Sequence, residues 1–329
     1  METVEINGTG IEMSRIGLGT WAIGGWMWGG TDEQMSVMTI HKALDSGINL
    51  IDTAPVYGFG KSEEIVGKAL KEYGSRDKII LATKCGLEWN QKGVFRNSSE
   101  ERLEKELDDS LQRLQTDYID IYQVHWPDPL VDFEETASFL KKQLEKGKIR
   151  AIGVSNYSVE QMKEFMETAP IHTSQPPYNL FERDIENDVL PFCINEKINP
   201  LTYGAICRGL LSGKITADRK FEGDDLRKVD PKFKGERFSQ YLNAVNKLNE
   251  FAKERFGKNV MQLAIRWVLD KTKIGSALVG ARKPEQVENL DSVYGWQITQ
   301  EDMKVIDNIL AEEIKNPVGP EFMAPPARK

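Results

Sequence analysis

Eight short apolar runs, each followed by a stretch of different periodicity, constrain this 329-residue chain more than any other feature. The runs are Arg15–Gly19, Ile48–Asp52, Lys78–Lys84, Tyr118–Val124, Ile149–Val154, Ile171–Gln175, Lys197–Tyr203 and Ser276–Gly280. Several are β-branched and almost continuously apolar, the pattern of parallel strands buried on both faces rather than of half-exposed ones. Amphipathic candidates lie between them: Asp32–Ser46, Ser62–Tyr73, Ser99–Leu114, Phe133–Lys146, Val159–Thr168 and Arg183–Asn195. Leu103, Leu107, Leu111 and Leu114 recur at helical spacing. Ser62-Glu63-Glu64 makes a favourable acidic first turn, and Gly47, Gly74 and Gly147 fall where helices should stop. Eight such alternations predict a closed (β/α)8 barrel, one domain over residues 1–329, with an open doubly wound sheet as the alternative. A hairpin precedes it, Val4–Ile6 and Ile11–Met13 joined through Asn7-Gly8.

The net charge of −8 argues against a general nucleic-acid binder, which would more often be basic. No window approaches the ~18 uninterrupted apolar residues of a membrane span. Met1-Glu2-Thr3-Val4-Glu5 is acidic and has no apolar signal core. Cys85, Cys193 and Cys207 are odd in number and far apart, which suits reduced thiols in a cytoplasm. Cys85 follows Lys84, and the reading preferred for it is an inert packed thiol.

In such barrels chemistry sits at the C-terminal strand ends. Those ends read Gly19-Thr20-Trp21, Asp52, Lys84, His125, Ser155-Asn156, Gln175, Tyr203 and Gly280. Any one of these is uninformative; their joint occurrence carries the argument. Tyr57, in the loop after Asp52, has a phenol that donates protons weakly near pH 7, since tyrosine titrates near 10. An ammonium at Lys84 would favour the phenolate, Asp52 could pair with that ammonium, and His125 could orient a substrate oxygen. The bland alternative is a buried Asp–Lys pair capped by a tyrosine and a histidine.

Two nucleotide fingerprints fail. Gly17-Leu18-Gly19-Thr20-Trp21-Ala22 fits a dinucleotide pattern, but the residues after it read as a loop and not a helix. Gly209-Leu210-Leu211-Ser212-Gly213-Lys214 is one residue short of a phosphate loop, and Ile215 replaces its Ser or Thr. A better anion site is Gly280-Ala281-Arg282-Lys283-Pro284, read as a glycine turn entering a helix. No metal site is expected, because His41, His125 and His172 lack ligand spacing, and no Gly-x-Ser-x-Gly elbow supports a hydrolase. Trp21, Trp26, Trp28, Trp89, Trp126 and Phe59 flank the rim and could wall an apolar pocket, Trp21, Trp28 and Trp126 foremost. Gly204 to about Glu236 reads as a long functional or disordered loop. The proline-bearing stretch Asn316–Lys329 is either a free tail or a cover over the barrel mouth.

The chain resembles the aldo-keto reductase superfamily over essentially its full length, and most closely the bacterial general-stress members. The matching stretches are Arg15–Trp21, Ile51–Gly58, Ala82–Lys84, Val124-His125, Ile152–Asn156, Gln175–Arg183, Gly280–Arg282 and Pro317–Pro326. The resemblance implies a monomeric TIM barrel that reduces small aldehydes or ketones with NADP(H). It implies Tyr57 as proton donor, Lys84 lowering its pKa, Asp52 pairing with Lys84, and His125 orienting the carbonyl. It places Ser155, Asn156 and Gln175 on the carboxamide and Tyr203 on the nicotinamide, and counts Gly19, Thr20, Trp21 and Asp52 among the cofactor contacts. It puts the phosphates near Gly204, Ala205, Ile206, Cys207 and Arg208, near Lys214 and Arg227, and near Gly280, Ala281, Arg282, Gln286 and Asn289. Many relatives have Ser-Pro-Leu where this chain has Gly204-Ala205-Ile206, so the pyrophosphate wrapping should differ. Other members of the superfamily sense cofactor and regulate a partner, which is the alternative function. A metal-dependent barrel hydrolase is a third.

Overall fold

In the computed structural model, which describes residues 1–328, eight parallel strands close on themselves. In chain order the strands are the hairpin β1 (Thr3–Ile6) and β2 (Ile11–Ser14), then β3 (Ile16–Gly19), β4 (Leu50–Asp52), β5 (Ile80–Cys85), β6 (Leu87–Asn90), β7 (Gly93–Arg96), β8 (Ile119–Val124), β9 (Ile149–Ser155), β10 (Thr173–Gln175), β11 (Asn199–Thr202) and β12 (Ser276–Gly280). The barrel order is β3-β4-β5-β8-β9-β10-β11-β12, returning to β3. The expected barrel is therefore present and the open sheet is excluded.

The apolar runs form strands because both of their faces are buried. Inward residues Leu50, Ile80, Ala82, Ile121, Ala151, Leu201 and Leu278 make a core inside the barrel, and Ile6, Ile11 and Met13 of the hairpin plug its N-terminal end. Outward residues pack under helices α1 (Glu33–Asp45), α2 (Lys61–Tyr73), α3 (Glu100–Leu114), α4 (Phe133–Glu145), α5 (Val159–Met166), α6 (Val189–Asn195), α7 (Gly235–Phe256), α8 (Val260–Thr272) and α9 (Gln300–Glu313). Asp32 caps α1 through the Met35 N–H, and Ser158 and Asn259 form capping boxes at α5 and α8.

Register fixes what meets at the rim. Gly280 pairs with Gly19, Gly19 with Asp52, Lys84 with Gln123, and Gln175 with Ser155. The chemistry-bearing strand ends are thus neighbours by backbone hydrogen bonding.

One expectation needs correction, and two readings left open are decided by the structure. Arg183–Asn195 is not one helix but a single turn, Asp184–Glu186, followed by α6. Pro191 lacks an N–H and is tolerated only in a first turn, so the helix has to restart at Val189. The β6–β7 hairpin and helices α7, α8 and α9 are additional to the elements anticipated. The segment after Tyr203 is ordered by short turns at Cys207–Ser212, Leu226–Lys228 and Pro231–Phe233. The tail covers the barrel mouth. Lys232 Nζ donates to Gly319 O at 3.2 Å, and Arg96 donates to Pro325 O and Pro326 O at 2.8 and 3.0 Å. Its last residue, Lys329, lies outside the described residues.

One glycine sets the approach of α2 to α3. A Cβ at Gly67 would sit 2.3 Å from Arg113 O and 2.8 Å from Leu114 backbone. Gly67→Ala should therefore lower stability by roughly 1–3 kcal/mol, because forced separation outweighs the ~1 kcal/mol gain in helix propensity. A thermal melt with an unchanged or higher Tm would contradict this packing.

Candidate active site

Tyr57 is placed by a turn whose geometry depends on two glycines. Gly58 has φ +67°, and a Cβ there would lie 2.1 Å from Gly24 O. A Cβ at Gly24 would in turn meet Tyr57 O at 2.6 Å. Only bare backbone lets these segments touch. Below them, Ser62 at the start of α2 donates to Thr20 Oγ1, and Thr20 Oγ1 donates to Asp52 O, tying three rim segments together.

Lys84 is fully buried, and its ammonium reaches three oxygens: Asp52 Oδ1 at 2.7 Å, Thr53 O at 2.9 Å and Tyr57 Oη at 3.2 Å. The other Asp52 oxygen accepts from Gln175 Nε2 at 2.8 Å and Gln123 Nε2 at 3.4 Å. All three ammonium protons and both carboxylate oxygens of this buried pair thus have partners, the condition under which such a pair is tolerable. The Tyr57 ring is 5.7 Å from the His125 ring, nearly edge-on, and stacks 5.8 Å from Trp21.

Burial, reinforced by Asp52, pushes the Tyr57 phenol well above its ordinary value near 10. That is opposite to the lowering expected from Lys84 alone. The Lys84 charge is compensated by Asp52 at contact distance, so desolvation of the phenol dominates. Burial also lowers the Lys84 ammonium, against the raising effect of Asp52. His125 falls well below its ordinary value near 6.5, through burial first and the Lys84 charge second. Its ring is consequently neutral at physiological pH, and it can offer an oxygen an N–H but not a mobile positive charge.

These groups open into a cavity of about 990 Å³. Asp52, Tyr57, His125, Trp21, Trp28 and Trp126 line it, with Lys84 beneath as the buried support. Trp26 lines it too, whereas Trp89 packs on Phe59 outside it, ring centroids 5.6 Å apart. One wall carries Ser155, Asn156, Gln175 and Tyr203, already hydrogen-bonded to one another: Ser155 Oγ donates to Gln175 O, and Tyr203 Oη donates to Asn156 Oδ1. Gly19, Thr20, Gly280 and Ala281 make a floor that is almost free of side chains. Gly204, Ala205 and Ile206 continue the wall, and Lys214, Arg227, Arg282 and Gln286 gather at the far end.

Two predicted residues lie away from the cavity surface. Cys207 is fully buried in the wall, and Asn289, with φ +64°, sits at the turn preceding Leu290–Val293. Three cationic residues are committed to the protein itself. Arg208 is ion-paired with Glu182 and Asp230. Arg227 pairs with Asp225 at 2.6 Å. Arg282 donates to Trp28 O and Gly30 O at 2.6 and 2.7 Å. Nor does Pro284 start a helix. Only a turn over Pro284–Gln286 follows, because Asn289 adopts a left-handed conformation, so no helix dipole adds to this anion site.

Lys283, part of the anticipated anion turn, also lines the far end; sequence reasoning missed Arg219 there, and Phe322 and Met323 of the tail, which line the mouth. It also missed the roof. Asp224 accepts from Met27 N and Gly29 N at 2.7 and 3.3 Å, joining the loop after β3 to the one after β11. Chain-distant contacts of this kind leave no local pattern.

Among the described residues there is no group of three His, Cys, Asp or Glu suited to a metal, and no helix is long and apolar enough to cross a membrane. The profile of the aldo/keto reductase family matches residues 15–311. The aldo-keto reductase YhdN of Bacillus subtilis (strain 168) is 61% identical over 329 residues, all of this chain and 99% of that one. The NADH-specific methylglyoxal reductase of Escherichia coli (strain K12) is 38% identical over 302 residues, 87% of this chain and 91% of the other. The structure of the glycerol dehydrogenase AKR11B4 from Gluconobacter oxydans superposes with a TM-score of 0.88 at 52% identity, covering 98% and 99% of the two chains. Strand order, the buried Asp–Lys–Tyr contact and these likenesses agree: the chain belongs to the aldo/keto reductase family.

Proposed function

We propose that this protein reduces aldehydes or ketones to alcohols with NADPH, using Tyr57 as the proton donor. The observation that carries the reading is the Lys84 ammonium, in contact with both Tyr57 Oη and Asp52 at the foot of the cavity. The cavity suits a nicotinamide dinucleotide. It has a glycine floor at Gly19 and Gly280, an aromatic face at Tyr203 and a basic far end that includes Lys214, Arg219 and Lys283. When bound, that group supplies a hydride to the carbonyl carbon.

The chain's own residues handle the oxygen. Tyr57 is protonated across the physiological range, so it enters each cycle loaded. As charge grows on the substrate oxygen, the phenol hands over its proton and the neutral His125 ring supports the same oxygen. Lys84 stabilises the phenolate left behind, a pull toward a lower pKa that burial and Asp52 outweigh in the resting site. Trp21, Trp28 and Trp126 restrict water around the exchange.

The basic far end favours a 2′-phosphate, hence NADPH, although one relative is named NADH-specific. The test is to follow cofactor absorbance with small aldehydes and ketones, offering NADPH and NADH in parallel. Oxidation of NADPH with the higher kcat/KM is expected. A preference for NADH would overturn the cofactor assignment. Tight cofactor binding with no turnover of any carbonyl would favour a regulatory module instead.

A further inference from the structure

Behind the strand that carries Lys84 lies a buried carboxylate that the chemistry above does not use. Glu106, on the inner face of α3, is 1% exposed. One of its oxygens accepts from Gly86 N at 2.8 Å, and the other pairs with Arg102 at 3.1 Å. Gly86 sits where the chain leaves the barrel at the end of β5, with φ +85°. The same peptide unit has its carbonyl on Cys85, and Cys85 O accepts the backbone N–H of His125 at 2.8 Å. A trans peptide is a rigid plane, so aiming its N–H outward at Glu106 aims its C=O at His125. Lys84 is the next residue back along the chain, and Arg102 holds the following turn through Leu87 O at 3.0 Å.

We infer that Glu106 is a positioning residue for the reaction, setting Lys84 and His125 relative to each other through the Cys85–Gly86 peptide. This rests on the carbonyl-reductase reading given above. A charge-assisted bond to a backbone N–H is among the stronger ways to fix a peptide in a dry interior. A second carboxylate supports the same strand three residues before Gly86. Glu63 of α2 accepts from Thr83 Oγ1 at 2.6 Å and pairs with Arg113 at 2.7 Å. Thr83, just before Lys84, and Gly86, two residues after it, are thus anchored to the outer helices, while the Lys84 side chain points inward.

The arrangement has a built-in titration. Burial pushes the Glu106 carboxyl up to about 7, opposed by Arg102 and the Gly86 N–H and assisted by Glu63. The other groups facing it are Cys85 on β5 and Tyr122 on β8, both held neutral because burial raises them well above their ordinary values. As pH rises through neutrality Glu106 ionises, its hold on Gly86 N strengthens and turnover should rise with it.

Glu106→Gln keeps an oxygen for Gly86 N but removes the charge. The double variant Glu106→Leu with Arg102→Leu removes both charges and leaves no unpaired buried ion. Both should lower kcat by roughly ten- to a hundredfold, the usual consequence of small misplacements of reacting groups. Cofactor Kd, read by tryptophan fluorescence, should stay within about twofold, since the far end of the cavity is untouched. The rise in kcat through neutral pH should vanish in Glu106→Gln. An unchanged kcat and pH profile would overturn the proposal, as would cofactor affinity falling in step with kcat, which marks general loosening. Wild-type turnover is measured alongside: an inactive wild type fails the reductase reading itself, whereas an active wild type indifferent to Glu106→Gln fails this inference alone.

Discussion

Tyr57→Phe should bind NADPH as the wild type does and lose roughly 10²- to 10⁴-fold in turnover, the range that positioned proton transfer usually supplies. The substitution removes one oxygen from a ring whose packing is otherwise complete, with Trp21 on one side and the edge of His125 on another. Lys84 keeps Asp52 Oδ1 and Thr53 O as partners, so the ammonium is not orphaned and the fold should stand. What disappears is the phenol in contact with that ammonium. Stopped-flow reduction of a small aldehyde, with cofactor affinity measured separately, separates the two effects. Wild-type-like rates would rule out Tyr57 as the acid.

Lys84→Met should cost both stability and rate. It leaves the Asp52 carboxylate buried with only the two glutamine amides, Gln175 and Gln123, as partners. Breaking a buried pair in this way typically costs about 3–5 kcal/mol. Turnover should fall by about 10²- to 10³-fold, as for removal of one preorganised charge that acts on a developing anion. The pH profile separates catalysis from architecture. The ammonium favours the phenolate, so removing it should move the alkaline limb of kcat to higher pH. The sign for stability runs the other way from a surface lysine. Burial lowers the folded-state pKa of Lys84 below its ordinary value of 10.5. Over that interval the unfolded chain binds the extra proton, so this group's cost to the folded state diminishes as pH rises toward 10.5. Lys84→Met should lack that alkaline gain in a pH series of melts. A variant that loses stability but keeps its pH–rate profile would make Lys84 purely structural.

The barrel and its four central residues were legible for a physical reason. Parallel strands covered on both faces are mostly apolar, so Ile80–Cys85 and Ile119–Val124 stand out despite Thr83, Asp120 and Gln123, and the polar residue at or just past the end of each run marks the rim. Asp52, Lys84 and His125 could be read in this way, and Tyr57 by its proximity to Asp52. The pKa of Tyr57 could not, because it depends on how completely Asp52 cancels Lys84 and how dry the site is. Arg282 was legible as a cation beside a glycine turn, but its guanidinium holds the Trp28 and Gly30 carbonyls, a contact across more than 250 positions. Glu106 reads in sequence as one more charge on a helix rich in Glu and Asp. Only the packing of α3 on β5 makes it a buried ligand of Gly86 N. The tail was left open between two readings, because nothing local tells Pro325 that Arg96 will hold its carbonyl.

Gly204-Ala205-Ile206, where this sequence departs from many relatives, is held in place by a neighbouring loop. Gly204 has φ +76°, and its carbonyl accepts from Asn179 Nδ2 at 3.0 Å. The wall after Tyr203 is therefore fixed by a neighbouring loop in a conformation that favours glycine.

The most direct test of the account is a crystal structure of the protein with oxidised or reduced NADPH and an unreactive carbonyl or carboxylate analogue of the substrate. The account predicts the analogue's oxygen within ~2.6–3.2 Å of both Tyr57 Oη and a His125 ring nitrogen, with Lys84 still in contact with Tyr57. An analogue bound with its oxygen turned away from Tyr57, and held by other groups, would contradict it.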